Sequence, residues 1–189
     1  MKKFSEYEGG YLNHLEGFYR SEDHALAVEL VGALGLAVSE IQFTEQSRPV
    51  LAAHPNANDK DPTNNVIFLY EVPAVQRAVL DLMEKKIAND PELHEAVQTY
   101  REQARAMPPI MPHFGIRFGS AGTLQEVLDR LEHTISPALK KRVGVWEVPP
   151  YKPIDGLPDI RQIFVRTDVF TIGTAGFEQA IELQVERGR

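Results

Sequence analysis

The sequence predicts an α+β fold made of two β-α-β-β-β modules with a helical insert between them, and three observations carry that prediction. The first is internal repetition. From Tyr11 the chain runs Tyr-Leu-Asn-His-Leu-Glu-Gly-Phe-Tyr-Arg into a helix-opening Ser21-Glu22-Asp23. From Met111 it runs Met-Pro-His-Phe-Gly-Ile-Arg-Phe into a Gly-Ser-Ala-Gly turn, and the first helical leucine follows His14 by 12 residues and His113 by 11. The second observation is that three strand-like runs follow each helix. The third is a pair of helical patterns between the halves, broken at Asn89-Asp90-Pro91.

Taken in order, Tyr11 to Arg20 reads as a strand, and Leu26, Leu30 and Leu34 with Ala27 and Val31 form one apolar helical face. Strands are then expected over Ala37 to Phe43, Pro49 to His54 and Asn65 to Val72, with the turn Asn56-Ala57-Asn58-Asp59-Lys60-Asp61-Pro62 before the last. The insert reads as helices over Ala74 to Lys86 and Glu92 to Ala106, the proline at 91 suiting a first helical turn, and Pro108-Pro109 as a hinge. The second half repeats the order. A strand from Met111 leads into a helix carrying Leu124, Val127, Leu128 and Leu131. Strands follow over Arg142 to Val148, Ile160 to Thr167 and Phe177 to Glu186, with turns at Pro149-Pro150 and Asp155-Gly156-Leu157-Pro158. The expected organisation is residues 11–72, 73–109 and 110–187 as first module, helical linker and second module of one compact unit.

Composition narrows the function. The chain has 189 residues, 43% hydrophobic and 25% charged, which is the balance of a globular protein. No apolar run approaches the roughly 18 residues of a membrane helix, and the opening Met-Lys-Lys-Phe-Ser-Glu-Tyr-Glu lacks the apolar core of a signal peptide, so a cytoplasmic protein without a membrane partner is expected. The absence of cysteine excludes disulfides, zinc-thiolate sites, iron-sulfur clusters and thiol nucleophiles, leaving histidine and carboxylate as metal donors. A net charge of -7 without a basic stripe argues against nucleic acid. A small-molecule substrate is the expected partner, and the oligomeric state, a homodimer included, stays open. Neither a Gly-X-Ser-X-Gly motif nor a phosphate-binding glycine loop supports nucleophilic hydrolysis or phosphate chemistry.

Side-chain alternation places His113 on one strand face with Gly115 and Arg117, while Phe114, Ile116 and Phe118 form the apolar face that should meet the helices. In the last strand Phe177, Ile181, Leu183 and Val185 read as the apolar layer, and Ala180, Glu182 and Gln184 face the other way. His24 and His94 sit in opening turns of helices, His133 lies on the far side of its helix, and His54 ends a strand. For these four, solvated or structural roles are expected.

Two modules that each open on a histidine-bearing strand, the first continuing into Gly32-Ala33-Leu34-Gly35-Leu36 and the second closing on Ala180-Ile181-Glu182-Leu183-Gln184, resemble the vicinal oxygen chelate superfamily of glyoxalases, bleomycin-resistance proteins and extradiol dioxygenases. The resemblance covers roughly residues 11–187 and rests on the order of elements. It implies a curled mixed sheet around one cavity, with His14, His113 and Glu182 as metal ligands. Two imidazoles and a carboxylate suit Fe(II), with Ni(II), Zn(II) and Mn(II) also accommodated, and leave room for a chelating substrate and dioxygen.

A fourth ligand separates two chemistries. Glyoxalase-type members carry a second glutamate on the last strand of the first module. Here that strand is Val66-Ile67-Phe68-Leu69-Tyr70-Glu71-Val72, in which Phe68 matches Glu182 unless the register shifts to bring in Glu71. Arg161-Gln162-Ile163-Phe164 together with the final glutamate strand also looks like the corresponding strands of 4-hydroxyphenylpyruvate dioxygenase, which implies that Gln162 faces the substrate. Arg117 would neutralise an anionic substrate oxygen. The first expectation is therefore an Fe(II) dioxygenase-type enzyme acting on a small aromatic or enolisable oxygenated substrate. The alternatives are a glyoxalase-type lyase or isomerase, and a metal-free binding protein like the bleomycin-resistance members. Against the metal-dependent readings stands the plain reading of His14, His113 and Glu182 as hydrogen-bonded or solvated strand residues.

Overall fold

The structure, a computed structural model, describes residues 12–45, 48–58, 64–149, 159–173 and 178–187. The turn at Asp155 to Pro158, the end of the turn beyond Asn58 and the expected strand start at Phe177 lie outside them. The chain is α+β, with two mixed sheets and five α-helices among the described residues. In chain order these are β1 (His14–Tyr19), α1 (His24–Ala33), β2 (Ala37–Ile41), β3 (Val50–His54), β4 (Val66–Glu71), α2 (Ala74–Asn89), α3 (Pro91–Ala106), β5 (His113–Phe118), α4 (Ala121–His133), α5 (Pro137–Lys140), β6 (Val143–Glu147), β7 (Ile160–Thr167), β8 (Phe170–Thr171) and β9 (Gln179–Glu186).

The first sheet has the order β2-β3-β4-β1-β8 and the second β5-β9-β7-β6. The strands thus form two separate hydrogen-bonded sheets, where one curled sheet was expected. In each, the histidine-bearing strand runs parallel to the last strand of its half: β1 beside β4, and β5 beside β9. The registers correspond. His14 lies across from Val66 and Glu16 from Phe68, as His113 lies across from Ala180 and Gly115 from Glu182.

The apolar faces of both sheets and the inner faces of α1 and α4 share one hydrophobic core, which includes Leu30, Leu69, Leu124, Val127, Ile163, Ile181 and Leu183. Each fully buried leucine of this set contributes about 2 kcal/mol by removal from water. The alternation expected of β5 and β9 holds: Ile116, Ile181, Leu183 and Val185 are buried in that core, with Phe114 and Phe118 packed against it. Helix starts follow local chemistry. Asp90 accepts a hydrogen bond from the Leu93 amide at 3.2 Å with Pro91 at the first helical position, and Ser120 accepts from the Thr123 amide at 3.1 Å. Ser21-Glu22-Asp23 instead forms a 3-10 turn ahead of α1, without a side-chain cap. Pro108–Ile110, expected as a hinge, is likewise a 3-10 turn.

α1 ends in a left-handed glycine. The Gly35 amide bonds the Gly32 carbonyl at 3.0 Å and the Leu36 amide the Val31 carbonyl at 3.2 Å, which requires the φ of +83° seen at Gly35. A Cβ there would also stand 3.0 Å from Arg130 Nη2, on the side chain whose Nε donates to the Ala33 carbonyl at 3.0 Å. Gly35→Ala is therefore expected to cost about 1–2 kcal/mol of stability, measurable by urea denaturation. A loss under about 0.3 kcal/mol would contradict it, since that is within the noise of such a comparison.

The two halves are also tied by polar contacts that no local pattern announces. Arg142, before β6, grips the buried carboxylate of Asp23 through both terminal nitrogens, one at 3.0 Å, while its Nε donates to Asp168 at 2.8 Å. Ser136 donates from Oγ to Glu29 at 2.8 Å, joining the start of α5 to α1.

Candidate functional site

The face of the second sheet opposite the core carries His113, Glu182, Gln162 and Arg117 of the candidate residues. β5 presents His113, Gly115 and Arg117, β9 presents Glu182, and β7 presents Gln162 and Phe164, by the register that sets Gly115 and Phe164 on either side of Glu182. His113, Glu182 and Gln162 meet. His113 Nε2 lies 3.6 Å from Glu182 Oε2, and Gln162 Nε2 donates a short hydrogen bond to Glu182 Oε1. Gln162 thus contacts the candidate ligand Glu182. Glu182 is buried, with 8% of its side chain exposed, against 30% for His113.

The backbone before His113 explains its orientation. Met111 precedes Pro112, and the proline ring favours an extended residue ahead of it. Met111 accordingly has φ -76° and ψ 149° and aims its carbonyl at His113 Nδ1, 2.8 Å away. Phe164 closes one side, its ring edge-on to the imidazole at 5.1 Å, and Trp146 packs edge-on against Phe164 in turn. Ala104 of α3 joins Met111, Phe164 and Ala180 in a small apolar cluster, so the helical insert packs beside the site. Gly115 presents no side chain between His113 and Arg117, and a Cβ there would stand 3.6 Å from Glu182 Oε2.

His14 stands on β1 in the first sheet. Its Nε2 is 3.8 Å from Glu16 Oε1 and its ring 5.8 Å from that of Phe68, while Tyr70 donates to Glu16 at 3.3 Å. His14 also lines a cavity of about 450 Å³ whose opposite wall is β5, including Gly115 and Arg117. The structure therefore groups the candidates as His113 with Glu182 and Gln162, and His14 with Arg117 around the neighbouring cavity. Among the described residues no group of three or more histidines and carboxylates stands close enough to hold a metal ion.

Glu71 lies on the other face of β4 from Phe68 and Tyr70, across from Tyr19, and pairs with Arg48. Arg117 pairs with Glu186 at 3.3 Å. Of the other histidines, His24 is half-buried beside Glu40, His133 is exposed beside Glu132, and His54 is buried at the end of β3. Sequence reasoning did not single out Glu16, Phe164 or the Met111 carbonyl. The Met-Pro-His order was the available signal for the last, because the proline fixes the carbonyl two residues ahead of the ring.

No helix of the described residues is long and apolar enough to cross a membrane. No family model, curated protein or solved structure matches the chain.

Proposed function

We propose that the chain is a metal-dependent enzyme of the vicinal oxygen chelate kind, two β-α-β-β-β modules about one cavity, in which His113 and Glu182 bind a divalent cation with His14 as third donor. Fe(II) is the first choice, and the substrate is a small aromatic or enolisable molecule with vicinal oxygens. The observation that carries this reading is the hydrogen bonding of His113. A carbonyl only accepts, so the Met111 contact requires the hydrogen on Nδ1. Nε2 then faces a buried carboxylate oxygen 3.6 Å away. Two atoms so placed can share positive charge between them, either a proton on Nε2 or a metal ion.

The donor types of His113 and Glu182 suit a metal, while His14 stands in the other sheet and no three such donors stand together among the described residues. Imidazole nitrogen with carboxylate oxygen suits Fe(II), Mn(II), Ni(II) or Zn(II), and a backbone carbonyl on the far nitrogen is the usual way a ligating histidine is oriented. Bound there, the cation would polarise the chelating oxygens of a substrate. The chain's own residues do the rest. Gln162 holds Glu182 Oε1 and so fixes the direction of Oε2, which makes it a positioning residue. Arg117 offers a guanidinium at the cavity wall for an anionic substrate oxygen, and Gly115 leaves that wall open. The register that matches Phe68 to Glu182, with Glu71 on the opposite face, favours the three-donor oxygenase over the four-donor glyoxalase-type lyase.

Protein purified without oxygen is expected to hold, or take up, about one divalent ion per chain. Protein that stays metal-free against added Fe(II), Mn(II), Ni(II) and Zn(II) would instead leave an imidazolium–carboxylate pair and a metal-free binding protein.

A further inference from the structure

Of the 16 residues of α2, only Leu80 is buried. The apolar face of the helix points the other way. Val75, Ala78, Val79 and Leu82 follow the i, i+3, i+4, i+7 spacing of a single helical stripe, Ala74 and Met83 flank it, and all six are exposed. Val75 is 80% exposed and Leu82 67%. A helix of this length takes most of its stability from packing its apolar stripe, and here the stripe is turned away from the chain's own core.

The charges of α2 leave that stripe clear. Asp81 is held by Arg77, which also pairs with Glu22, and Glu84 is held by Arg20. The last turns carry two lysines, Lys85 without an ion pair among the described residues and Lys86 paired with Asp90 at 2.8 Å.

We infer that this face is an interface with a second copy of the chain, α2 lying antiparallel on α2 about a two-fold axis that passes between Ala78 and Val79. The stripe is complementary to itself in that arrangement. Val75 meets Leu82 of the second copy, Ala74 meets Met83, and the small Ala78 at the axis lets the two helices approach closely. A parallel pair would instead set Leu82 and Met83 against their own copies and bring Lys85 and Lys86 of both chains together, where like charges repel. By its exposure the stripe offers roughly 400 Å² per copy, about 800 Å² for the pair, against the roughly 1,200–2,000 Å² of a stable interface. The dimer is therefore weak and forms only as concentration rises.

The absence of cysteine allows a direct test of both partner and direction. Val75→Cys and Leu82→Cys proteins, oxidised as a mixture, should give at least about five-fold more disulfide-linked dimer than either alone. Seven residues separate like positions of the two copies by about 10 Å along the axis, whereas a disulfide needs its Cα atoms within about 7 Å. Sedimentation of the unmodified protein should show a monomer–dimer equilibrium with a Kd of about 10–100 μM, and Leu82→Glu, at an exposed position where the fold tolerates it, should raise that Kd more than about ten-fold. Circular dichroism checks that α2 stays helical. A wild-type chain that remains monomeric to about 1 mM, whether or not it associates with lipid vesicles, would overturn the assignment, as would a dimer that Leu82→Glu leaves intact or equal cross-linking of Val75→Cys alone.

Discussion

Glu182→Gln is expected to lower metal affinity by more than about 100-fold, because it removes the only anionic donor of the site, whereas changes to groups that merely orient ligands cost about 10–100-fold. Glutamine preserves the volume of this buried side chain, so the fold should survive and the loss would report on ligation. Glu71→Gln should leave metal content unchanged, since Glu71 lies on the other face of β4 in an ion pair with Arg48. Gln162→Ala falls between the two: Glu182 keeps its charge but loses the partner that fixes its direction. Anaerobic dialysis against Fe(II) or Zn(II) followed by elemental analysis makes the comparison. Equal losses in the Glu71 and Glu182 variants would point to four donors and a glyoxalase-type site. No loss in either would remove the metal reading altogether.

Arg142→Ala should destabilise the protein by about 3 kcal/mol, because it leaves the Asp23 carboxylate buried without its counter-ion. The side chains are 27% and 6% exposed, so this pair is shielded from the screening that makes surface ion pairs worth little. The fault would lie where the halves meet, since Asp23 precedes α1 and Arg142 precedes β6. Urea denaturation of single and double variants tests the coupling. Arg142→Ala in an Asp23→Asn background should cost clearly less than in wild type, as the charge left unpaired is gone. A cost below about 1 kcal/mol in the single variant would mean that the pair behaves like a surface contact.

Much of the order of elements was legible because it is written in local periodicity. The alternation through Phe114, Ile116 and Phe118 and through Ile181, Leu183 and Val185 told which faces meet the core, and hence that His113 and Glu182 share the other face. α1, α3 and α4 were legible from helical spacing, with Asp90-Pro91 also marking the start of α3. Shorter features were not. α5 spans four residues and β8 two, too few for any period to show, although Ser136-Pro137 was a usable helix-start signal.

By itself, then, the sequence determined the α+β class, the faces of the strands and the pool of histidine and carboxylate donors, because these depend on side chains a few positions apart. Only the tertiary structure decided how the elements combine. β8 comes from the second half of the chain yet pairs with β1 of the first sheet, through Phe18 and Tyr19. Gln162 reaches Glu182 from the neighbouring strand, and His14 is set beside Phe68, at a cavity shared with Arg117. Such contacts join residues far apart in the chain. Their geometry follows from register, sheet packing and the shared core, which no local pattern of residues encodes.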